Sequence, residues 1–220
     1  MRLNRLLATS LNISRRKADN LIASGQISIN NEPAQFHSLP IATDVIKFQG
    51  KEINISAQTS LLVMLNKPTG YVCSRNGQGS NTIYDIIPDK YHALNPIGRL
   101  DKNSSGLILL TNNGQLHQKL THPKYEKQKV YQVKLNKKLQ EKDLQAIEKG
   151  VQLEDGLSKM QVKQWLANQN AWFVTIHEGR NRQIRRSFSH LGYRVIFLNR
   201  IIFGPYELGQ LKPGNHKLLH

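Results

Sequence analysis

The segment GRLDKNSSGLILLTNNG, residues Gly98–Gly114, contains the most informative pattern in the sequence. Its apolar run 107–110 predicts a buried strand, and the Asn-Asn-Gly after it predicts a turn. Asp101 precedes the strand and lies between Arg99 and Lys102. A carboxylate among cations keeps its negative charge at neutral pH and can act as a nucleophile. An Asp in this place can equally cap a turn through backbone hydrogen bonds, and spacing alone leaves both interpretations open.

Around this segment the chain alternates between predicted strands and predicted helices separated by short turns. This arrangement is typical of an α+β fold with a mixed, mainly antiparallel sheet and a few helices. Neither GxGxxG nor GxxxxGK[ST] occurs, which disfavours the nucleotide-cofactor folds. Strands are predicted at 61–67, 106–111, 129–135, 160–166, 171–179 and 193–199, and helices at 114–123, 140–150 and 180–192.

The charge balance points to a polyanionic partner. Thirty-one Lys and Arg residues stand against fifteen Asp and Glu, which gives a formal net charge of +16. Nucleic acid is the expected partner of such an excess of cations. A hydrophobic content of 39% is sufficient for a folded core. No apolar run of about 18 residues occurs, so no membrane partner is expected, and the single Cys73 suits a reducing cytoplasm.

No metal or cofactor site is predicted. The eight histidines are scattered without the spacing of metal ligands. Cys73 lacks the cationic surroundings of a reactive thiol, and no GxSxG motif is present. The carboxylates are therefore the candidates for chemistry. Of these, Asp101 differs from the others because cations bracket it and a strongly apolar strand follows it.

Residues 1–48 predict a small separate unit. Its first helix has apolar residues at helical spacing, and its second begins at Ser14 as N-cap and ends at Gly25. The cations 15–17 occupy the first turn of that helix, where they oppose the helix macrodipole and suggest a phosphate partner. A short hairpin is predicted around Asn30-Asn31. Residues 49–60 are expected to form a polar linker, and residues 61–220 a second domain.

A basic helix and one tyrosine offer further candidates for binding. In the segment RNRQIRRSFSHL, residues 180–191, Ile184, Phe188 and Leu191 share one face and the arginines lie opposite. Such arginines can remain solvated, or they can bind phosphate or pair with Asp101. Tyr131 follows a lysine-rich stretch, where an aromatic ring can stack on a nucleobase. Read with its own strand alone, it is more simply a core residue.

Taken together, these segments closely resemble the RsuA-type pseudouridine synthases, which modify bacterial ribosomal RNA. The resemblance covers nearly the whole chain and rests on LNKPTGYVCS, GRLDKNSSGLILLTNNG, KVYQVKL, GVQLEDG, EGRNRQIRR and FLNRI, in that order. It implies that Asp101 is the catalytic aspartate, that Tyr131 packs on the target base, and that Arg185 forms an ion pair with the aspartate. Leu198 is implied to pack beside them. The family uses neither metal nor organic cofactor, and a monomer is expected.

The first unit resembles the S-four-type, or alpha-L, RNA-binding domain. The matching stretches are RLNRLLA at 2–8, SRRKADNLI at 14–22 and GQISINNE at 25–32. The residues expected to contact RNA are Arg2, Arg5, Arg15, Arg16, Lys17, Lys67, Arg99, Arg180, Arg182, Arg186 and Leu198. Large-subunit ribosomal RNA is the expected substrate. The alternatives are the same chemistry on small-subunit RNA, and a non-catalytic RNA-binding protein that assists ribosome assembly.

Overall fold

The computed structural model describes residues 2–11, 13–53, 59–165 and 170–219. The chain divides into two compact units, Met1–Thr59 and Ser60–His220. Each unit has its own hydrophobic core.

The first unit consists of two helices and a small antiparallel sheet. The helices are α1 (Leu3–Ser10) and α2 (Arg15–Ala23), and the strands are β1 (Ile27–Ile29), β2 (Glu32–Pro33), β3 (Ile46–Phe48) and β4 (Lys51–Glu52), in the order β2-β1-β3-β4. Ser14 caps α2 by accepting a hydrogen bond from the Lys17 amide at 3.1 Å. Fully buried Leu3, Leu7 and Ile27 belong to the core between these elements. The predicted hairpin is present as β1–β2.

The boundary expected at residue 48 is not observed. Strand β4 pairs with β3, with Lys47 opposite Glu52, so residues 51–52 belong to the first unit rather than to a linker. The strand pairs there because the positive-φ residues Gln49 and Gly50 form a tight turn directly after Phe48. The central part of the predicted linker, residues 54–58, lies outside the described residues. So does most of the turn predicted at 167–170.

The second unit is built on a nine-stranded sheet. Its strands are β5 (Leu62–Lys67), β6 (Asn95–Ile97), β7 (Ser105–Thr111), β8 (Lys129–Leu135), β11 (Gln161–Gln164), β12 (Ala171–Ile176), β13 (Val195–Phe203), β14 (Tyr206–Glu207) and β15 (His216–Leu219). Seven of them follow the order β11-β12-β8-β13-β7-β5-β15, while β6 pairs with β7 and β14 with β13. Only β13 and β7 pair in parallel among these described strands. The predicted mixed, mainly antiparallel sheet is confirmed.

The apolar run 107–110 forms the middle of this sheet. Strand β7 is covered on both faces, because Ile108 and Leu110 belong to one hydrophobic core and Leu107 and Leu109 to the other. A strand with two buried faces reads as a continuous apolar run rather than an alternating one. The quoted segment therefore builds the central strand, and its Asp101 lies just before it.

Three helices and a second hairpin complete the unit. They are α3 (Gly114–Thr121), α4 (Glu141–Lys149), α5 (Gln183–His190) and the hairpin of β9 (Val151–Leu153) and β10 (Gly156–Ser158). The apolar side of α5 is as predicted, with Ile184 and Phe188 buried. The helix begins at Gln183, later than expected, because Arg182 has a φ of 46° in the left-handed region.

Candidate active site

Asp101 lies on a loop that is held from both sides. The Asp101 carbonyl accepts from the Ser104 amide at 3.0 Å, and the Lys102 carbonyl accepts from the Gly70 amide at 2.8 Å. One residue before Asp101, the Leu100 amide donates to the Cys73 sulfur at 3.3 Å. These bonds fix the backbone of the loop, while the Asp101 side chain stays 33% exposed. The carboxylate is thus both positioned and accessible.

Lys67 supports this loop from beneath. Its ammonium donates to the carbonyls of Ser104 at 2.7 Å and Pro68 at 2.9 Å. The side chain is 0% exposed, so its assignment as an RNA contact is corrected. Burial lowers the pKa of Lys67 from 10.5 to about 8, and the charge of Asp101 opposes part of that shift. The buried ammonium of Lys67 therefore holds the backbone of this loop and does not face solvent.

Asp101 opens into a cleft of about 680 Å³. Tyr131 on β8 and Leu198 on β13 line the same cleft, and both are buried. They meet because antiparallel pairing sets Leu198 opposite Val133 and Arg200 opposite Tyr131, which directs these side chains to one face. A volume of this size lies within the usual range for a small-molecule site. The structure thus brings together the acid, the aromatic ring and the apolar residue that the sequence had singled out.

The ion pair of Asp101 is made by Arg182. Its Nη1 lies 3.5 Å from the Asp101 Oδ2, and the Arg182 side chain is 48% exposed. Among the described residues no other cation lies within ion-pairing distance of this carboxylate. Arg182 also has a positive φ of 46°, a backbone conformation that costs a non-glycine residue about 1 kcal/mol or more. Backbone strain of this kind is concentrated at functional sites.

Arg185 has a different set of partners from the expected one. Its guanidinium donates to the Asn103 carbonyl at 2.7 Å and to the Val195 carbonyl at 2.8 Å. The expected ion pair with Asp101 is therefore corrected: Arg185 connects the Asp101 loop to the start of β13. Burial, and then the charge of Arg182, lower the pKa of Arg185, while the charge of Asp101 raises it. Arg185 lines the cleft close enough to Asp101 for that charge effect.

Arg180 and Arg186 bind carboxylates of the chain itself. Arg186 makes a two-bond pair with Asp155 at 2.6 and 3.0 Å, and Arg180 pairs with Asp155 at 3.0 Å and Glu178 at 3.1 Å. The hydrogen bond from Arg186 lowers the pKa of Asp155. Their guanidinium groups hold the β9–β10 hairpin against α5 and the residues just before it, so these arginines, which were expected to contact RNA, bind acids within the fold. The sequence segment GVQLEDG indicated these ion pairs, because its turn contains their acidic partner, Asp155.

The remaining residues that were predicted to contact RNA lie at the cleft and on the first unit. Arg99 is exposed and lines the cleft beside Asp101. Arg2, Arg15, Arg16 and Lys17 are exposed on the first unit, and Arg5 is half-buried there.

Four cations that line the cleft were not among the predicted site residues: Lys127, Lys129, Lys159 and Arg200. Lys129 on β8 and Arg200 on β13 both line it, and Arg200 is 2% exposed. The two-residue period of a strand would have indicated that Lys129 and Arg200 face the cleft. Lys129 is two residues before Tyr131 and Arg200 is two residues after Leu198, so each points to the same side as its neighbour.

Within the described ranges, no group of three or more His, Cys, Asp or Glu is arranged to hold a metal ion. In the same ranges, none of the helices has both the length and the apolar character needed to cross a bilayer. Three acidic residues of the described ranges line the cleft, Asp101, Glu126 and Glu178, and of these Asp101 lies on the pinned loop beside Arg182 and is the candidate nucleophile.

Known proteins with this sequence pattern and fold agree on one activity. The family model described as RNA pseudouridylate synthase matches residues 61–190. The large-subunit pseudouridine synthase B of Bacillus subtilis is 34% identical over 99% of this chain and 91% of its own. The small-subunit pseudouridine synthase A of Vibrio vulnificus is 31% identical over 100% and 96%. A crystal structure of a pseudouridylate synthase superposes with a TM-score of 0.70 at 30% identity, covering 100% of this chain and 96% of that one. Several further relatives carry large-subunit names.

Proposed function

Because the chain belongs to the RNA pseudouridylate synthase family, we propose that it converts a uridine of ribosomal RNA to pseudouridine with Asp101 as the nucleophile. The observation that carries the proposal is the Asp101 carboxylate, held on a pinned loop and open to a cleft with Tyr131 and Leu198. The reaction breaks the bond between uracil N1 and ribose C1′ and forms a bond between C5 and C1′. A proton leaves C5.

The cleft can perform this isomerisation only on a nucleotide that has left its stack. Flipping the nucleotide out costs a few kcal/mol, which contacts with the extruded base must offset. In this proposal Tyr131 packs on the uracil ring, and Leu198 covers its edge. The Tyr131 hydroxyl is the proposed acceptor of the C5 proton. Buried apolar walls also exclude water, so the detached uracil returns to the ribose instead of being replaced by hydroxide.

Three arginines at the cleft have different proposed roles. Arg182 orients the Asp101 carboxylate through the 3.5 Å contact. Arg185 positions the loop through Asn103 and is a proposed catalytic partner through its charge. Arg99, exposed at the cleft entrance, is the proposed contact for RNA phosphate at this end.

Large-subunit ribosomal RNA is the proposed substrate, since several relatives that match most of this chain carry that name. The small-subunit enzyme with 31% identity supports the alternative substrate. The first unit, with its two helices, small sheet and exposed cations 15–17, is proposed to be an S-four-type RNA-binding domain.

The test compares the two substrates directly. Unmodified transcripts of large-subunit and small-subunit ribosomal RNA are incubated with the protein, and pseudouridine is mapped by chemical adduct formation and primer extension. We expect one new pseudouridine in the large-subunit transcript and none in a protein-free incubation. A new site only in the small-subunit transcript would establish the alternative substrate, and no new site in either would reject the proposed activity.

A further inference from the structure

The cleft continues beyond Tyr131 to an end that the proposed reaction leaves unused. Three cations lie there, Lys127, Lys129 and Arg200, and we call them the basic floor. The pairing of β8 with β13 sets Arg200 opposite Tyr131 and Lys129 opposite Phe203. The basic floor therefore lies on the same sheet face as the tyrosine, beside the place proposed for the base.

Two groups of the basic floor have hydrogen-bonding capacity left over. Arg200 donates from Nε to the Leu107 carbonyl at 2.8 Å, but its buried Nη2 has no partner. The Lys129 ammonium donates to the carbonyls of Lys127 at 3.2 Å and Glu178 at 3.1 Å. An ammonium has three donors, so one remains. Unused donors of buried cations are costly, and a ligand that accepts hydrogen bonds would recover that cost.

Two acidic residues, Glu126 and Glu178, line the same cleft as the basic floor. In the part of the chain that the structure describes, no carboxylate lies within ion-pairing distance of Lys129 or Arg200. The carboxylate of nearby Glu178 binds Arg180 and Gln183 instead. Burial, and then the charge of Arg200, lower the pKa of Lys129 to about 8, while the charge of Glu178 opposes part of that shift.

Gly179 lines the cleft next to the Lys129 ammonium. A Cβ at this position would lie 3.8 Å from the Nζ and 3.7 Å from the Cε of Lys129. The backbone there has no positive φ, so its conformation does not require glycine. A methyl group at 179 would therefore be in van der Waals contact with the end of the Lys129 side chain.

We propose that the basic floor is a phosphate subsite, which binds a backbone phosphate of the RNA strand next to the nucleotide held at Asp101. This inference rests on the proposed function for the identity of its ligand. Lys129 and Lys127 contact the phosphate oxygens, and Arg200 behind them supplies further positive charge. Fixing that phosphate on the far side of Tyr131 sets the position of the ribose relative to Asp101.

The experiment measures binding and turnover of large-subunit ribosomal RNA transcript by the full chain at several salt concentrations. We expect Lys129→Gln to reduce the magnitude of the slope of log K against log salt by about 0.7 to 0.9, the value of one phosphate contact. KM should rise about tenfold, with a smaller change in kcat. Lys129→Arg should retain the wild-type slope, and Lys127→Gln should lower it in the same direction as Lys129→Gln.

Two further variants separate binding from folding and from general charge loss. Gly179→Ala keeps every charge and places a methyl group against the Lys129 ammonium, so it should weaken binding in the same direction as Lys129→Gln. Lys142→Gln removes an exposed cation on α4 and should leave slope and KM unchanged. Thermal melts show whether each variant is folded.

Unchanged slopes and KM values for both Lys129→Gln and Gly179→Ala would overturn the subsite. Pseudouridine is measured in the same samples. If the wild-type protein binds the transcript but forms no pseudouridine, the proposed activity fails, while the binding slopes still decide the subsite.

Discussion

At the scale of single residues, the two arginines near Asp101 have separable tasks. Arg182 touches the carboxylate from an exposed position, and exposed ion pairs contribute at most about 1 kcal/mol to stability. Arg185 bridges two backbone carbonyls from a half-buried position, and its loss leaves both without a donor.

We therefore expect Arg182→Ala to lower kcat about tenfold and to change the free energy of unfolding by less than about 0.5 kcal/mol. Arg185→Ala should lower kcat and also cost about 2 kcal/mol of stability. Denaturant titration and single-turnover kinetics on both variants measure the two effects. Equal losses of stability in the two variants would contradict this division.

The buried Lys67 makes the folding stability of the protein depend on pH. Its pKa is about 8 in the folded protein, against 10.5 for an unperturbed lysine. Between these values the unfolded chain binds more protons than the folded one, so this group makes stability rise with pH. Below pH 8 the lysine is charged in both states, and the full cost of burying the charge is present.

Lys67→Met removes this titration. The free energy of unfolding of the wild type, relative to Lys67→Met, should increase by up to about 3 kcal/mol from pH 8 to pH 10.5. Urea titrations at a series of pH values measure it. Parallel pH curves for the two proteins would disprove the lowered pKa of Lys67.

At the scale of elements, the contact between β7 and β13 depends on Gly106. Its φ is +104°, and a Cβ there would lie 2.2 Å from the Arg200 carbonyl oxygen and 2.5 Å from the Arg200 nitrogen. Both atoms are backbone, so the strands themselves must separate to admit a side chain.

Gly106→Ala is expected to cost about 3 kcal/mol, from strand displacement and from the left-handed backbone together. Gly114→Ala is the matched control, because nothing lies within 4 Å of a Cβ at that position. Thermal and denaturant unfolding measure both. A Gly106→Ala protein as stable as Gly114→Ala would contradict the close approach of the two strands.

The sequence could predict individual helices and strands, but not the contacts that depend on how they pair. Apolar runs and alternation located the strands around Tyr131 and the apolar face of α5, because burial imposes those periods. The partner of Asp101 was not predictable in the same way. Helical spacing places Arg182 and Arg185 on one arc, but the left-handed backbone at Arg182 and the carbonyls near Arg185 decide which one reaches the carboxylate. Lys129 and Arg200 became neighbours only through the register of β8 with β13.

At the scale of the whole molecule, positive charge is distributed over two units that are proposed to bind the same RNA. The cations Arg15, Arg16 and Lys17 are exposed at the N-terminus of α2, where they oppose the helix macrodipole. Their position weakens the helix slightly, so their benefit has to come from a partner.

The triple change of Arg15, Arg16 and Lys17 to Gln should reduce the salt slope of RNA binding by up to about 2.7, without lowering the melting temperature. A triple change of Lys138, Lys142 and Lys149 to Gln removes as much charge around α4 and serves as the control. Equal losses of slope in both triple variants would reject a specific RNA-binding role for the first unit.

The central claim is that the Asp101 carboxylate makes this protein an RNA-modifying enzyme rather than an RNA-binding protein only. Asp101→Asn keeps the shape of the side chain and removes its charge, while Asp89→Asn makes the same change at a fully exposed residue. The decisive measurement is pseudouridine formation by the two variants on ribosomal RNA that each is shown to bind. We expect wild-type conversion by Asp89→Asn and none by Asp101→Asn at unchanged affinity. Conversion by Asp101→Asn at the wild-type rate would show that the Asp101 carboxylate is not required for the reaction.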